Sequence, residues 1–272
     1  MMSLRTFPAA AVLAFGLIGH VAAQTENAPA GAEDFVPEVG QSGKDVIWVP
    51  TPQALVDRML DMVALTPEDT LVDLGSGDGR TVITAAKRGA SARGIEFNPD
   101  MVALSRSAAL RAGVAERATF EQGDIFESDF SDADVVTMFL LPGLNLRLKP
   151  TLLDMEPGTR VVSNSFTMGD WEPDETGKAE ECESYCIAYK WIIPAKAEGT
   201  WKTADGELTL TQKYQVVEGT LRKGDTTVPI TEGRLEGPVL RFKAGADDYE
   251  ANVSGKQMKG SVNGQSGWTA SL

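Results

Sequence analysis

The sequence predicts an α/β fold, in which a mainly parallel sheet is covered by helices on both faces, followed by a small all-β domain. Between residues 70 and 194, apolar strand-like runs alternate with helix-like runs, which is typical of a parallel sheet. After residue 199 no helical periodicity remains, and short alternating segments recur between glycine-bearing turns. A hydrophobic fraction of 42% in 272 residues is enough for a buried core.

The elements of the first half follow from apolar periodicity and its end signals. Thr51 is a good N-cap and Pro52 a good first residue for a helix whose apolar positions share one face. From there strands and helices alternate. The predicted strands are 70–74, 93–97, 118–122, 135–141, 160–166 and 185–193, and the predicted helices are 81–88, 99–115 and 145–155.

The last quarter of the chain contains seven or eight short segments with strand periodicity. They predict a small antiparallel barrel or sandwich over residues 199–272. No motif in this part carries chemistry, so we expect a role in docking or stability ahead of one in ligand binding. The predicted segments are 207–212, 214–221, 227–231, 239–242, 249–253, 258–262 and 268–272.

The N-terminus has the pattern of a targeting segment. Arg5 precedes an apolar stretch at 9–18, and small residues at 21–23 resemble a cleavage site. We therefore expect a signal peptide over 1–23, a flexible linker over 24–45, and a main domain over 46–195. The chain would then be periplasmic or secreted, with no stable membrane span after cleavage; the alternative is an anchor formed by an uncleaved N-terminal segment.

Charge and residue usage exclude several function classes. The formal net charge is −14, and cleavage after residue 23 would remove Arg5 and the only histidine, His20. Such an acidic chain is not expected to bind nucleic acid or an anionic membrane, whereas a basic protein partner is compatible with it. Without histidine, proton transfer would fall to carboxylates, tyrosines, lysines or water, and we expect no metal site.

Cys182 and Cys186 are the only cysteines. Two ligands are too few for a zinc site. A disulfide is compatible with export, but residues four apart along one strand are too distant to bridge, so a bond requires a turn or helix between them. The sequence leaves a disulfide and two free thiols equally open.

The stretch from Asp73 to Gly79 is the most informative motif. Asp73 ends a predicted strand, and glycines follow at alternate positions before a predicted helix, so the backbone there can approach a ligand closely. Glu96 ends the next strand about 20 residues later, where an acid can accept hydrogen bonds from ribose hydroxyls. The glycine spacing does not fit the G-x-G-x-x-G fingerprint of dinucleotide oxidoreductases, and Asp73 suits a cationic ligand better than a pyrophosphate.

This D-x-G-x-G-x-G pattern resembles motif I of the class I, seven-strand methyltransferases. The resemblance implies a Rossmann-like seven-stranded sheet and S-adenosyl-L-methionine as cofactor. Asp124 follows a strand in a Gly-Asp-Ile-Phe loop that matches the adenine-binding loop of that class. The resemblance implies these cofactor-binding residues: Asp73, Gly75, Ser76, Gly77 and Gly79 in the glycine loop, Glu96 and Phe97 near the ribose, and Asp124, Ile125 and Phe126 near the adenine.

Further stretches at 48–52, 139–142, 157–163 and 169–173 look like the small protein-lysine methyltransferases that modify the adenine nucleotide translocase and the ATP synthase c-subunit. This resemblance covers residues 46–194 and implies methyl transfer to a lysine amine of a basic or lysine-containing protein. Its candidate acceptor-side residues are Thr51, Phe139, Pro142 and Trp171. An exported chain would have poor access to the cofactor, so the alternative is a non-catalytic binding protein that retains a nucleoside-binding pocket.

Overall fold

The structure is a computed structural model that describes residues 35–272. The predicted signal peptide (1–23) and the first part of the predicted linker (24–34) lie outside the described residues. Within the described part, no helix is long and apolar enough to cross a membrane.

A seven-stranded sheet forms the first half of the described chain. Its strands are β1 (Thr70–Leu74), β2 (Ser91–Glu96), β3 (Ala118–Gln122), β4 (Val135–Met138), β5 (Arg160–Asn164), β6 (Glu175–Lys178) and β7 (Ile187–Ile192), in the order β3-β2-β1-β4-β5-β7-β6. Strands β1 to β5 are parallel, whereas β7 runs antiparallel to β5, and β6 antiparallel to β7. The strand order reverses at β1 and β4, the place where open α/β sheets bind ligands.

Four helices cover the sheet: α1 (Gln53–Met62), α2 (Arg80–Lys87), α3 (Pro99–Arg111) and α4 (Pro142–Leu153). Helix α1 buries Leu55, Val56, Met59 and Leu60 in a cluster with α2, α3 and the strands beneath them. A second cluster lies around α4 and includes Trp171, which follows β5, and Trp191 of β7. The predicted α/β class with helices on both faces is thus confirmed.

Several elements differ from their predicted bounds, among them β4, α4 and β7. Strand β4 ends at Met138, which leaves Phe139 outside the strand, and α4 already begins at Pro142, whose fixed φ suits a first helical turn. Strand β7 begins at Ile187, because a disulfide between Cys182 and Cys186 closes a turn before it, with Cα atoms 5.7 Å apart. From the sequence alone, a disulfide and two free thiols were equally possible.

The last part of the chain is a closed eight-stranded antiparallel barrel, which confirms the predicted all-β class. Its strands are β8 (Gly199–Thr203), β9 (Gly206–Lys213), β10 (Val216–Lys223), β11 (Thr226–Glu236), β12 (Val239–Ala244), β13 (Asp247–Ser254), β14 (Gln257–Val262) and β15 (Gln265–Ser271). Alternate side chains point inward, and Trp201, Leu208, Leu240 and Met258 are fully buried there. The barrel closes where β15 pairs with β8, at Ala270 with Thr203 and Ser271 with Lys202.

The β9–β10 turn of the barrel packs against the segment between β5 and β6. Trp171 is fully buried; its Nε1–H donates to Gln215 Oε1 at 2.8 Å, and its ring stacks on Tyr214 at 5.5 Å between centroids. The Tyr214 hydroxyl donates to Asp170 Oδ1 at 2.8 Å. The contact therefore joins apolar burial to satisfied polar groups, which ties the barrel to the sheet.

Candidate functional site

A pocket opens at the carboxyl edge of the sheet, above β1 and β4. Its walls are the glycine loop after β1, the ends of β2, β3, β4 and β5, and residues 41–51, which we call the strap. The pocket thus lies at the reversal of strand order, as expected for an open α/β sheet.

The conformation of the glycine loop requires positive φ angles, which glycine adopts without strain. Gly75 has φ +76° and Gly77 has φ +54°. The Gly75 N–H donates to the Ile95 carbonyl at 2.9 Å, which anchors the loop on β2. A Cβ on Gly77 would lie 2.6 Å from Trp48 Nε1, so the bare backbone also makes room for the strap.

Asp73 is a buried carboxylate at the end of β1. It is 7% exposed, and Thr137 Oγ1 donates to its Oδ1 at 2.6 Å. No cation pairs with it among the described residues. Burial raises its pKa to about 7, and the negative charges of Asp78 and Glu96 act in the same direction. A positively charged ligand at this position would restore the ionised form.

Glu96 caps the end of β2 with both carboxylate oxygens. Oε2 accepts from the Gly77 N–H and Oε1 from the Asn98 N–H, each at 2.9 Å. A carboxylate offers about four lone-pair positions, so each oxygen can still accept from a ligand hydroxyl. Phe97 follows, and its ring is 48% exposed beside the pocket.

Asp124 lies at the far end of the pocket, in the loop after β3. Its Oδ1 accepts from the Phe126 N–H at 3.0 Å, and its Oδ2 pairs with Lys44 of the strap. The hydrogen bond from Lys44 holds the pKa of this carboxyl below its usual value. The Lys44 ammonium also lies 5.0 Å from the centroid of the Phe97 ring, a cation–π distance.

The strap differs from the sequence expectation, which treated residues 24–45 as linker. Ser42 pairs with Ile47 in an antiparallel bridge, and the Trp48 N–H donates to the Gln41 carbonyl at 2.9 Å. The contacts that hold it come from the glycine loop and from α3, since Gln41 Nε2 lies 3.7 Å from Met101 Sδ. No local periodicity signals such tertiary contacts.

The other end of the pocket is aromatic. Phe139, after β4, lies 6.1 Å from Phe166 and 5.1 Å from Tyr185, measured between ring centroids. Thr51 completes this end: Asn164 Nδ2 donates to its Oγ1 at 3.2 Å, and Arg80 donates to its carbonyl at 2.9 Å. Thr51 and Phe139 were expected here from the sequence. The other two rings were not among the predicted site residues, because their approach to Phe139 depends on the pairing of β5 with β7 and on the disulfide-closed turn before β7.

The pocket brings together most of the predicted cofactor residues, and four predicted residues do not line it. The residues that line it are Asp73, Gly75, Ser76, Gly77, Glu96, Phe97, Asp124, Ile125, Thr51 and Phe139; those that do not are Gly79, Phe126, Pro142 and Trp171. Each of the four makes other contacts that explain its position.

Gly79 is the N-cap of α2, and a Cβ there would lie 2.7 Å from the Phe120 ring, so it serves the packing of helix on sheet. The Phe126 ring stacks under the Arg147 guanidinium at 3.6 Å. Pro142 begins α4. Trp171 is enclosed between Trp191 and the barrel, so its predicted place on the acceptor side is corrected to a structural one.

Comparison with known proteins gives a consistent result. Residues 73–175 match the model of the ANTKMT methyltransferase domain. A protein-lysine N-methyltransferase of Saccharolobus islandicus is 42% identical over 151 residues, which is 54% of this chain and 94% of that protein. The adenine nucleotide translocase lysine N-methyltransferase of Mus musculus is 34% identical over 51% of this chain, which spans only 56% of that relative.

A solved structure described as an RNA methyltransferase from Salinibacter ruber, in complex with S-adenosyl-L-homocysteine, is also similar. It is 49% identical, with a TM-score of 0.52, over 54% of this chain and 95% of that one. Each of these matches covers about half of the chain. That is the length of the sheet with its helices, without the barrel.

Proposed function

The chain belongs to the methyltransferase family that contains these protein-lysine N-methyltransferases, and from that premise we propose that it transfers a methyl group from S-adenosylmethionine to a lysine amine of a protein. One observation carries the proposal. The pocket holds the buried carboxylate of Asp73 beside the glycine loop, and no cation among the described residues pairs with it. A wall of aromatic rings lines the same pocket at its other end. This arrangement suits a cationic cofactor and a desolvated amine.

The residues present fit S-adenosylmethionine. Its ammonium and sulfonium charges would be compensated by Asp73, whose carboxylate is otherwise buried without a cation from the described residues. Its ribose hydroxyls would find the free lone pairs of Glu96, and its adenine would lie along Phe97 and Ile125 toward Asp124.

The chain supplies alignment and desolvation. When bound, the cofactor supplies a methyl group on a positively charged sulfur, which leaves as a neutral thioether. The lysine enters the aromatic wall as an ammonium; exclusion of water there lowers its pKa, so that it loses a proton to solvent and attacks as the neutral amine. Positioning of amine and methyl group in line then provides much of the rate.

Charge favours a protein acceptor over RNA, although one solved relative is described as an RNA methyltransferase. The net charge is −14, which opposes binding to a phosphate backbone. The connection between β6 and β7, which contains the disulfide, lies next to the aromatic wall and carries three exposed carboxylates: Glu180, Glu181 and Glu183. A basic protein surface suits this edge.

The test is transfer of a trideuteriomethyl group from labelled S-adenosylmethionine to the proteins and RNA of a lysate of the native host, followed by mass spectrometry of the digests of each. We expect label on lysine side chains, and none with a variant in which Asp73 is replaced by asparagine. Label on RNA, on other residue types, or on nothing, from a protein that binds the cofactor, would contradict the proposal.

Replacing Lys44 by methionine is expected to tighten S-adenosylmethionine binding roughly two- to fivefold at low salt. The change removes a positive charge from the pocket and frees Asp124 Oδ2, while the aliphatic stem over Phe97 remains. Calorimetric titration measures the affinity, and S-adenosylhomocysteine, which lacks the sulfonium, is expected to respond less. Weaker cofactor binding by Lys44→Met would mean that Lys44 is itself a ligand or a necessary clasp of the strap.

A further inference from the structure

We propose that Phe139, Phe166 and Tyr185 form an aromatic recess for the ammonium group of the acceptor lysine, in its methylated as well as its unmethylated state, and that the Cys182–Cys186 loop positions Tyr185 in it. The role of the recess in catalysis rests on the proposed function. Its affinity for an alkylammonium group does not, and can be measured separately.

The three rings come together because three strand ends meet at one edge of the sheet. Phe139 follows β4 and Phe166 follows β5, while Tyr185 precedes the antiparallel β7, whose start lies at that same edge. The Phe139 and Phe166 rings are stacked at an interplanar angle of 22°, and Tyr185 stands edge-on to Phe139 at 61°. All three residues line the same pocket, so rings of two orientations are available to a ligand cation there.

Tyr185 is not a core residue that happens to be aromatic. Its side chain is 44% exposed, although all three rings line the pocket. Its backbone has φ +55°, a left-handed conformation that is strained for any residue with a Cβ atom. An exposed tyrosine would gain nothing from that conformation on its own, so the surrounding chain must impose it.

The disulfide loop provides this constraint. The Cys182–Cys186 bond closes the turn, the Ala179 N–H donates to the Cys186 carbonyl at 2.9 Å, and the Ser165 N–H donates to the Ile187 carbonyl at 2.7 Å. The backbone after Tyr185 is therefore held by hydrogen bonds to the residues that follow β5 and β6, and the backbone before it is tied to Cys186 through the disulfide. Opening the disulfide would free the turn while leaving these outer hydrogen bonds in place.

Charge points to a cation as the occupant. Glu181 and Glu183 lie on the same loop as Tyr185, and both are exposed. Lys44, the lysine that lines the described pocket, is paired with Asp124 at its opposite end. A methylated ammonium is larger and less strongly hydrated than a bare one, so aromatic faces bind it at a smaller desolvation cost. Product lysine could thus return for further methylation.

The experiment uses Nα-acetyl-Nε-trimethyllysine methylamide as the probe, added to the protein saturated with S-adenosylhomocysteine. Proton NMR follows the methylammonium signal, which aromatic rings shift upfield, and a titration gives the affinity. Nα-acetylnorleucine methylamide serves as the uncharged control probe. Calorimetry of S-adenosylhomocysteine binding is run on every variant in parallel.

We expect the trimethylated probe to bind and the norleucine probe not to bind. Tyr185→Ala should weaken probe binding about fivefold or more, Tyr185→Phe should rescue it to within about twofold, and the double variant Cys182→Ser, Cys186→Ser should lie between them. Absence of probe binding, equal binding of both probes, or an unchanged Tyr185→Ala affinity would overturn the recess. Probe binding by a protein that does not bind the cofactor would overturn the proposed function and leave the recess intact.

Discussion

Replacing Asp73 by asparagine is expected to stabilise the ligand-free protein above neutral pH and to remove its affinity for S-adenosylmethionine. Burial raises the pKa of Asp73 from 3.8 to about 7, so folding penalises its ionised form. Between those two pH values the folded protein binds more protons at this site than the unfolded chain does, and stability falls as the pH rises. The full penalty is present above pH 7, and asparagine, which cannot ionise, does not incur it.

Urea unfolding at pH 5 and at pH 8 measures the effect. We expect Asp73→Asn to gain about 2–4 kcal/mol over the natural protein at pH 8 and much less at pH 5, because Thr137 can still donate to the amide oxygen. An Asp73→Asn variant that is no more stable at pH 8 would show that the carboxylate is already compensated in the ligand-free protein.

Asp69 provides a matched control, since it is also buried but is paired with Arg160. Burial opposes its ionisation, yet the hydrogen bonds from Arg160 and from the Thr66 N–H outweigh that and hold its pKa below the usual value. Its contribution to stability is therefore present above the unfolded pKa and lost as the pH falls through the folded one. Asp69→Asn should lower stability at pH 8, opposite in sign to Asp73→Asn.

Replacing Trp171 by alanine is expected to cost about 3–5 kcal/mol of stability while leaving cofactor affinity unchanged. The indole is fully buried, packs on Trp191 at 6.0 Å and on Tyr214 at 5.5 Å, and donates to Gln215. Its removal leaves a cavity where the barrel meets the sheet, together with an unpaired amide oxygen. Urea unfolding gives the stability loss and calorimetry the affinity for S-adenosylmethionine.

Tyr214→Phe is the milder companion, because it keeps the ring on Trp171 and loses only the hydroxyl that bonds Asp170 and Lys149. We expect it to cost roughly 1 kcal/mol. If Trp171→Ala does not yield folded protein, Gln215→Ala tests the same contact from the barrel side. A folded Trp171→Ala variant of natural stability that fails only in methyl transfer would restore the tryptophan to the acceptor side.

The parts of the fold that sequence reasoning reached are those with strong local signals. Strands β1 and β3 match their predicted bounds because each is a short alternating run between clear turn residues. Strand β6 escaped prediction since Glu175–Lys178 is polar, contains Gly177 and is recognisable as a strand only through its pairing with β7. Strand β8 likewise depends on closure of the barrel against β15 and β9.

The candidate site divides in the same way. Asp73 and Glu96 were predictable because their strand ends are adjacent in the sheet, with Asp73 opposite Gly94 in the register of β1 and β2. Lys44 was not, because the strap takes its shape from contacts with the glycine loop and α3. Tyr185 was not either, since its position depends on whether two cysteines are joined, which their spacing alone does not decide.

Calorimetric titration of the protein with S-adenosylmethionine at pH 6.0 and at pH 7.5 shows whether buried Asp73 is the counter-ion of a cationic cofactor. Because Asp73, with a pKa of about 7, must lose its proton to receive the cation, we predict saturable binding that is roughly fivefold or more tighter at pH 7.5, with proton release to the buffer. No saturable binding by the folded protein, or an affinity independent of pH, would contradict the account.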